Sequence, residues 1–156
     1  MTECQIHVDA PREAVFDVLL DPTSFAIWVV GSKHIRGVDA EWPQPGSKLY
    51  HIVGWGPFED HGDTEVLEVE PPYRFRLEAR AWPFGTAEVD LTLQPDAGGT
   101  ELRIRETPRD GPAARFHNPA MELALRARNM WSLRRLARWA EECYRGTPGH
   151  LPEPAR

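Results

Sequence analysis

Three polar side chains stand where the local periodicity puts apolar ones. Asn129 lies on a helical stripe with Leu125, Leu133, Leu136 and Ala140, which recur three to four residues apart and share one face. Glu106 continues the alternation of Leu102 and Ile104, so its carboxylate falls on the same side of the strand as those two. His51 shares parity with Leu49, Val53 and Trp55 in "KLYHIVGW". An inward amide can orient or polarise a carbonyl, and an inward carboxylate or imidazole can move a proton. Each group also has a structural reading. Glu106 could tie the sheet to a helix or cap a loop, and His51 could be a satisfied core residue. An unpaired buried carboxylate costs several kcal/mol, so Glu106 is expected to be paired, protonated or at a cavity mouth.

Aromatic and thioether side chains add a possible wall around those polar groups. Trp28, Trp55, Trp82 and Phe84 sit at element ends or turns, where aromatics can ring a pocket entrance. Met121 and Leu125 lie near the start of the helical stripe, where they could line a cavity. The candidate ligand contacts are therefore Trp28, His51, Trp55, Phe84, Glu106, Met121, Leu125 and Asn129. Glu106 and His51 are the candidates for proton transfer. "EDHGD", residues 59–63, is the one compact set of metal-type ligands, but its spacing fits no closed zinc or calcium loop. It reads as a solvated hairpin, and no metal is expected. No glycine-rich phosphate loop or GxSxG elbow is present, and no cofactor is expected.

Composition narrows the classes. The 156 residues suit one domain over 1–145 with a Pro- and Gly-rich tail over 146–156, and 41% hydrophobic content supplies a core. Net charge is −6, which argues against nucleic acid as a partner. No apolar run approaches the ~20 residues of a membrane span. The start resembles no secretory signal, and Cys4 and Cys143 form no close motif, so a cytoplasmic protein with reduced thiols is expected. Charge is uneven: ten arginines stand against six acids between Glu101 and Arg145. Arg126, Arg128, Arg134, Arg135 and Arg138 read as a solvated helix face, with a protein-contacting surface as the alternative. A homodimer is left open.

The elements that must position these groups follow from pattern and punctuation. "CQIHV" alternates as a first strand, and "DAPREAVFDVLL" opens a helix with Asp9 as cap and Pro11 in its first turn. Asp21-Pro22 ends it, and a short second helix begins near Thr23. Period two then runs through strands at 33–41, 47–53, 58–69, 74–81, 86–94 and 100–106, parted by turn sequences such as "WPQPG" and "PDAGG". Short connections predict an antiparallel meander with one buried face. A long helix over 119–144 follows, capped by Asn118 with Pro119 at its first position. Docking its apolar stripe on the sheet satisfies both, and a curved sheet around a helix leaves room for a pocket.

This order resembles the START-like (SRPBCC) superfamily and its polyketide cyclase/dehydrase-like branch. The resemblance spans about Ile6 to Tyr144 and rests on "IHVDAPREAVFDVLLDPTSFAIWV", "WPQPGSKL", "TEVLEVEPPYRFRLEAR", "GGTELRIRETP" and "RNMWSLRRL". It implies an α+β helix-grip fold and a deep pocket for apolar or aromatic small molecules between the sheet and the last helix. It carries over no catalytic residue. The leading expectation is binding or carriage of a hydrophobic metabolite. A cyclase or dehydratase on the same pocket comes second, and a protein-interaction domain using the arginine-rich helix face comes third.

Overall fold

Alternation along the chain becomes seven antiparallel strands in one sheet. The structure, a computed structural model, describes residues 1–81, 85–115 and 118–146, apart from the side chains of Trp55 and Ala113. The elements are β1 (Thr2–Val8), α1 (Arg12–Leu20), α2 (Pro22–Trp28), β2 (Ser32–Val38), β3 (Lys48–Trp55), β4 (Phe58–Glu70), β5 (Arg74–Ala81), β6 (Gly85–Asp96), β7 (Gly99–Pro108), α3 (Pro112–Arg115) and α4 (Pro119–Tyr144). Spatial order is β1-β7-β6-β5-β4-β3-β2. Strands β2 to β7 thus form a meander, and β1 closes its far edge against β7. The expected tail falls almost wholly outside the described residues, as do Trp82 and Phe84.

Local chemistry accounts for the boundaries and for where they depart from expectation. Asp9 does not cap α1. Pro11 occupies that position without a side-chain cap bond, because Asp9 lies too far upstream. Its carboxylate meets His7 Nε2 at 2.9 Å, and its N–H donates to Glu141 Oε1 at 2.9 Å. Asp21 ends α1 and caps α2, its Oδ1 accepting from the Thr23 N–H at 2.9 Å. Strand β2 stops at Val38, short of the expected 41, because Asp39 begins a tight turn: its Oδ2 accepts from the Lys48 N–H and its C=O from the Trp42 N–H. A bulge between Val66 and Glu68 interrupts the alternation of β4, and it restores Val69 to the side of Phe75. Helix α4 starts as expected, with Asn118 Oδ1 accepting from the Ala120 N–H at 2.8 Å.

The two faces of the sheet separate cleanly. Arg74 forms a forked pair with Asp90 at 2.8–2.9 Å, Arg76 bonds Glu68 at 2.7 Å, and Arg80 bonds Asp63 at 3.1 Å on the wet face. The inner face packs Phe75, Leu77, Leu91, Leu93 and Leu102 against Phe16 and Leu19 of α1, Phe25 and Trp28 of α2, and Leu133 and Leu136 of α4. Burying such side chains supplies ~1.5–3 kcal/mol each. Helix α4 runs parallel to β1. Glu141 reaches Asp9 at one end, and Arg128 reaches Glu106, the partner of Thr2, further along.

Candidate ligand site

Register sorts the inner face by size. One row across the sheet holds Val69, Phe75, Leu91, Ile104 and Cys4. The next holds Val66, Leu77, Val89 and Glu106. Beyond it come Leu49, Thr64, Ala79 and Ala87, and then His51, Gly62, Ala81 and Gly85. Side chains therefore shrink from phenylalanine and leucine to alanine and glycine along β4, β5 and β6. Over the same stretch, Ala79, Ala81, Ala87 and Val89 are only half-buried although they share the parity of fully buried neighbours. Helix α4 contributes to this end of the molecule without filling it. Its buried stripe runs from Asn129 to Ala140, whereas Met121 and Leu123, before Arg128, are 41% and 68% exposed. Large side chains line one end of the inner face, and small ones line the other.

Polar groups gather where those two ends meet. Glu106 is 5% exposed, and its carboxylate pairs with Arg128, Nη1 lying 3.2 and 3.3 Å from the two oxygens. Arg128 Nε also donates to the Val30 C=O at 3.4 Å, and Ser132 Oγ accepts from the Val30 N–H at 3.1 Å. These bonds tie α4 to β7 and to the chain leaving α2. Arg128 is thereby removed from the solvated face assigned to it by sequence: one residue before the buried Asn129, its long side chain reaches round to Glu106. Asn129 itself is 1% exposed, and its Nδ2 has no partner among the described residues. The same holds for Trp28 Nε1 and His51 Nδ1. Trp28 packs edge-on against Phe25 at 5.3 Å between centroids, and Phe25 lies 5.5 Å from the His51 ring.

His51 is 4% exposed and is held by Thr64, whose Oγ1 lies 3.0 Å from Nε2. Burial pushes its pKa from 6.5 down to about 4, against the opposing pull of the Asp63 carboxylate, so the ring is neutral at pH 7. Gly62, paired with His51, makes room for the ring: a Cβ there would stand 2.9 Å from His51 Cε1 and 2.8 Å from the Arg80 carbonyl oxygen. Gly62 comes from "EDHGD", which lies at the start of β4 in the β3–β4 hairpin, where Glu59 and His61 are exposed as expected and Gly62 is buried. Glu59 pairs with Lys33, and Asp63 with Arg80. Among the described residues no group of three or more His, Cys, Asp or Glu is placed to hold a metal.

The candidates read from sequence thus fall at different places. Trp28, His51, Glu106 and Asn129 are buried, with Trp28 and His51 linked through Phe25 and with Glu106 joined to the residue before Asn129. Leu125 is half-buried, and Met121 is exposed in the first turn of α4, which stands clear of the sheet. Trp55 ends β3, its side chain being outside the description, and Phe84 lies outside the described residues. Thr64, Gly62, Arg128 and Ser132 are positioning residues that periodicity alone did not single out. A glycine inside a strand is the one available signal, since it marks a close approach.

The profile of the family described as "Polyketide cyclase / dehydrase and lipid transport" matches residues 2–141. The chain belongs to this family. No curated protein sequence matches it. Among solved structures it is similar to DynU16 from the dynemicin biosynthetic locus, with 25% identity, a TM-score of 0.67, and 94% of this chain and 48% of that one covered. It is also similar to CV1439 from Chromobacterium violaceum, at 22% identity, TM-score 0.66, and 90% and 99% coverage. A third is StfQ, the di-domain ARO/CYC of the steffimycin biosynthetic pathway, at 14% identity, TM-score 0.68, and 90% and 50% coverage. The chain spans about half the length of DynU16 and of StfQ. Its curved seven-stranded antiparallel sheet with a C-terminal helix is the helix-grip fold of the polyketide cyclase/dehydrase family. Family and fold support hydrophobic-ligand binding or polyketide cyclase-type chemistry as the class of function. No helix among the described residues is long and apolar enough to cross a membrane.

Proposed function

We propose that this member of the polyketide cyclase/dehydrase family binds an apolar small molecule bearing an acceptor oxygen. The ligand lies between the small-residue end of the inner face and the N-terminal half of α4. The observation that carries this reading is the set of buried, unpartnered nitrogens on Trp28, Asn129 and His51 beside an inner face that tapers to alanine and glycine. A buried donor left unpaired costs ~1–3 kcal/mol. A carbonyl or ether oxygen on the ligand recovers that cost, and an aliphatic or aromatic skeleton suits the alanine and valine walls. Leu125 belongs to the wall and Met121 to the rim, with Trp55 and Phe84 assigned to the same lining on sequence grounds. Glu106 and Arg128 hold the helix in place. They are positioning residues in this reading.

Binding of Nile red, a neutral planar dye with a carbonyl, tests the proposal directly. Saturable one-to-one binding is expected, with about tenfold weaker affinity in a Trp28→Phe, Asn129→Leu double variant, the ~1.4 kcal/mol of one lost hydrogen bond. Absence of binding, or affinity unchanged in that variant, overturns it. The neutral His51 with a free Nδ1 favours a second reading, a cyclase-type enzyme in which His51 accepts a proton. A base whose conjugate acid titrates near 4 is weak at pH 7, which ranks carriage above catalysis. Unaltered turnover of a polyketide-type substrate in His51→Gln would remove the second reading.

A further inference from the structure

A second site is suggested on the opposite side of α4. There a groove of about 410 Å³ runs between the helix and the free edge of β1, floored by Ile6 and walled by Trp131, Arg134, Arg135 and Arg138. Residues 131, 134 and 138 recur at helical spacing, so an indole and two guanidinium groups line one face, with Arg135 beside them.

Seven arginines, at 74, 76, 80, 103, 105, 109 and 128, meet carboxylates within 4 Å. Arg134, Arg135 and Arg138 are among the described arginines that meet none, and they stand together on one groove in a protein with 24 acids against 18 Lys and Arg. One acid, Glu141, lines the groove at the end where His7 stands, and the acids there have partners of their own. Glu141 accepts from the Asp9 N–H, while Asp9 and Asp96 hold His7 from its two ring nitrogens at 2.9 and 3.0 Å. Arg135 is half-buried, and burial lowers its pKa with no anion to offset it. Trp131 is 56% exposed, a large flat apolar surface set among cations.

Guanidinium forks match phosphate oxygens, and an exposed indole offers a face to a planar ring. The volume lies in the ~300–1,000 Å³ range of small-molecule sites. We propose that this groove binds a nucleotide-class ligand, its base on Trp131 and its phosphates on Arg134, Arg135 and Arg138. The site is separate from the interior chamber and does not depend on that assignment.

Isothermal titration calorimetry with ADP, pyrophosphate and adenosine tests it on the whole chain at low ionic strength. One ADP is expected per chain, at least tenfold tighter than pyrophosphate or adenosine. Arg134→Gln with Arg138→Gln should weaken ADP at least tenfold, and Trp131→Leu should bring ADP to the level of pyrophosphate while leaving pyrophosphate unchanged. All variants should keep wild-type Nile red affinity and melting temperature, since these side chains lie on the solvent side of α4. Equal affinity for ADP and pyrophosphate overturns the role of the ring. No saturable ADP binding overturns the site. Arginine-dependent binding to phosphatidylserine vesicles without ADP binding overturns it in favour of a membrane surface.

Discussion

The buried imidazole gives the sharpest quantitative test, because one protonation event separates it from the rest of the protein. His51 titrates near 6.5 when unfolded and near 4 when folded. Its folded pKa is depressed, so the stability it permits is complete above pH 6.5 and is lost as pH falls towards 4, while the unfolded chain takes up a proton that the native ring refuses. A gap of this size at ~1.36 kcal/mol per unit corresponds to about 3 kcal/mol over that window. Below pH 4 both states are protonated and the loss levels off. His51→Gln keeps a group able to bond Thr64 but cannot titrate. Urea unfolding of both proteins between pH 7.5 and 3.5 should therefore show wild type losing about 3 kcal/mol more than the variant, with the divergence confined to pH 6.5–4. All other titrating groups, His7 included, are common to both proteins and drop out of the difference. Asp63 raises the His51 pKa, so Asp63→Asn should move the lower limit of the window to more acid pH. Parallel stability profiles for wild type and His51→Gln would refute both the depressed pKa and the burial said to cause it.

Other side chains give independent checks. Asn129→Leu removes an unpaired buried amide, so the ligand-free protein should melt no lower than wild type while Nile red affinity falls several-fold; calorimetric scanning and dye titration read the two effects separately. Glu106→Gln leaves Arg128 without its carboxylate and should cost ~1–3 kcal/mol in urea unfolding, less than a fully buried pair because Arg128 is 38% exposed. The double variant with Arg128→Met should cost less than the two single changes added together. Gly62→Ala forces the His51 ring or the β5 backbone to move, with an expected loss of ~1–3 kcal/mol and a shift of the His51 ring resonances in NMR spectra. His7 behaves oppositely to His51. Its bonds to Asp96 and then Asp9 raise its pKa, so its contribution is full below 6.5 and fades as pH rises through the folded value, a slope that His7→Asn should abolish in thermal melts.

Much of the fold was legible because alternation and capping are local. "RFRLEAR" can satisfy its pattern only as a strand wet on one side, and Asn118-Pro119 can only begin a helix there. The inward turn of Asn129, Glu106 and His51 was legible for the same reason: parity and helical spacing fix direction. What those side chains meet was not. Glu106 finds Arg128 because β7 and α4 cross at that level, and no spacing within either segment encodes the crossing. Asp9 was misread as a cap because its acid type suits one, while its carboxylate turns back to His7 and its N–H donates to Glu141, 132 residues away. "EDHGD" shows a different limit. Its acids drew attention as metal-type ligands, yet its glycine is the residue that matters, and a missing side chain acquires meaning only once a neighbouring ring is known to press on it.

The size gradient across the inner face links these observations to function. A sheet with leucine and phenylalanine along its whole inner face would pack solidly against α4 and leave a buried amide with nothing to orient. Alanine and glycine on β4, β5 and β6 withdraw side-chain volume from one end only, so the core supplies stability where Phe75 meets Phe16 of α1, and in the proposed reading the other end accepts the guest. His51 stands in the row of smallest residues, with Gly62, Ala81 and Gly85, and in the proposed reading it meets the ligand there. Enlarging Ala79 and Ala87 to leucine should therefore raise the melting temperature or leave it unchanged while abolishing Nile red binding. If those residues instead sit in a filled core, the same substitutions would overpack it and cost ~1–3 kcal/mol each.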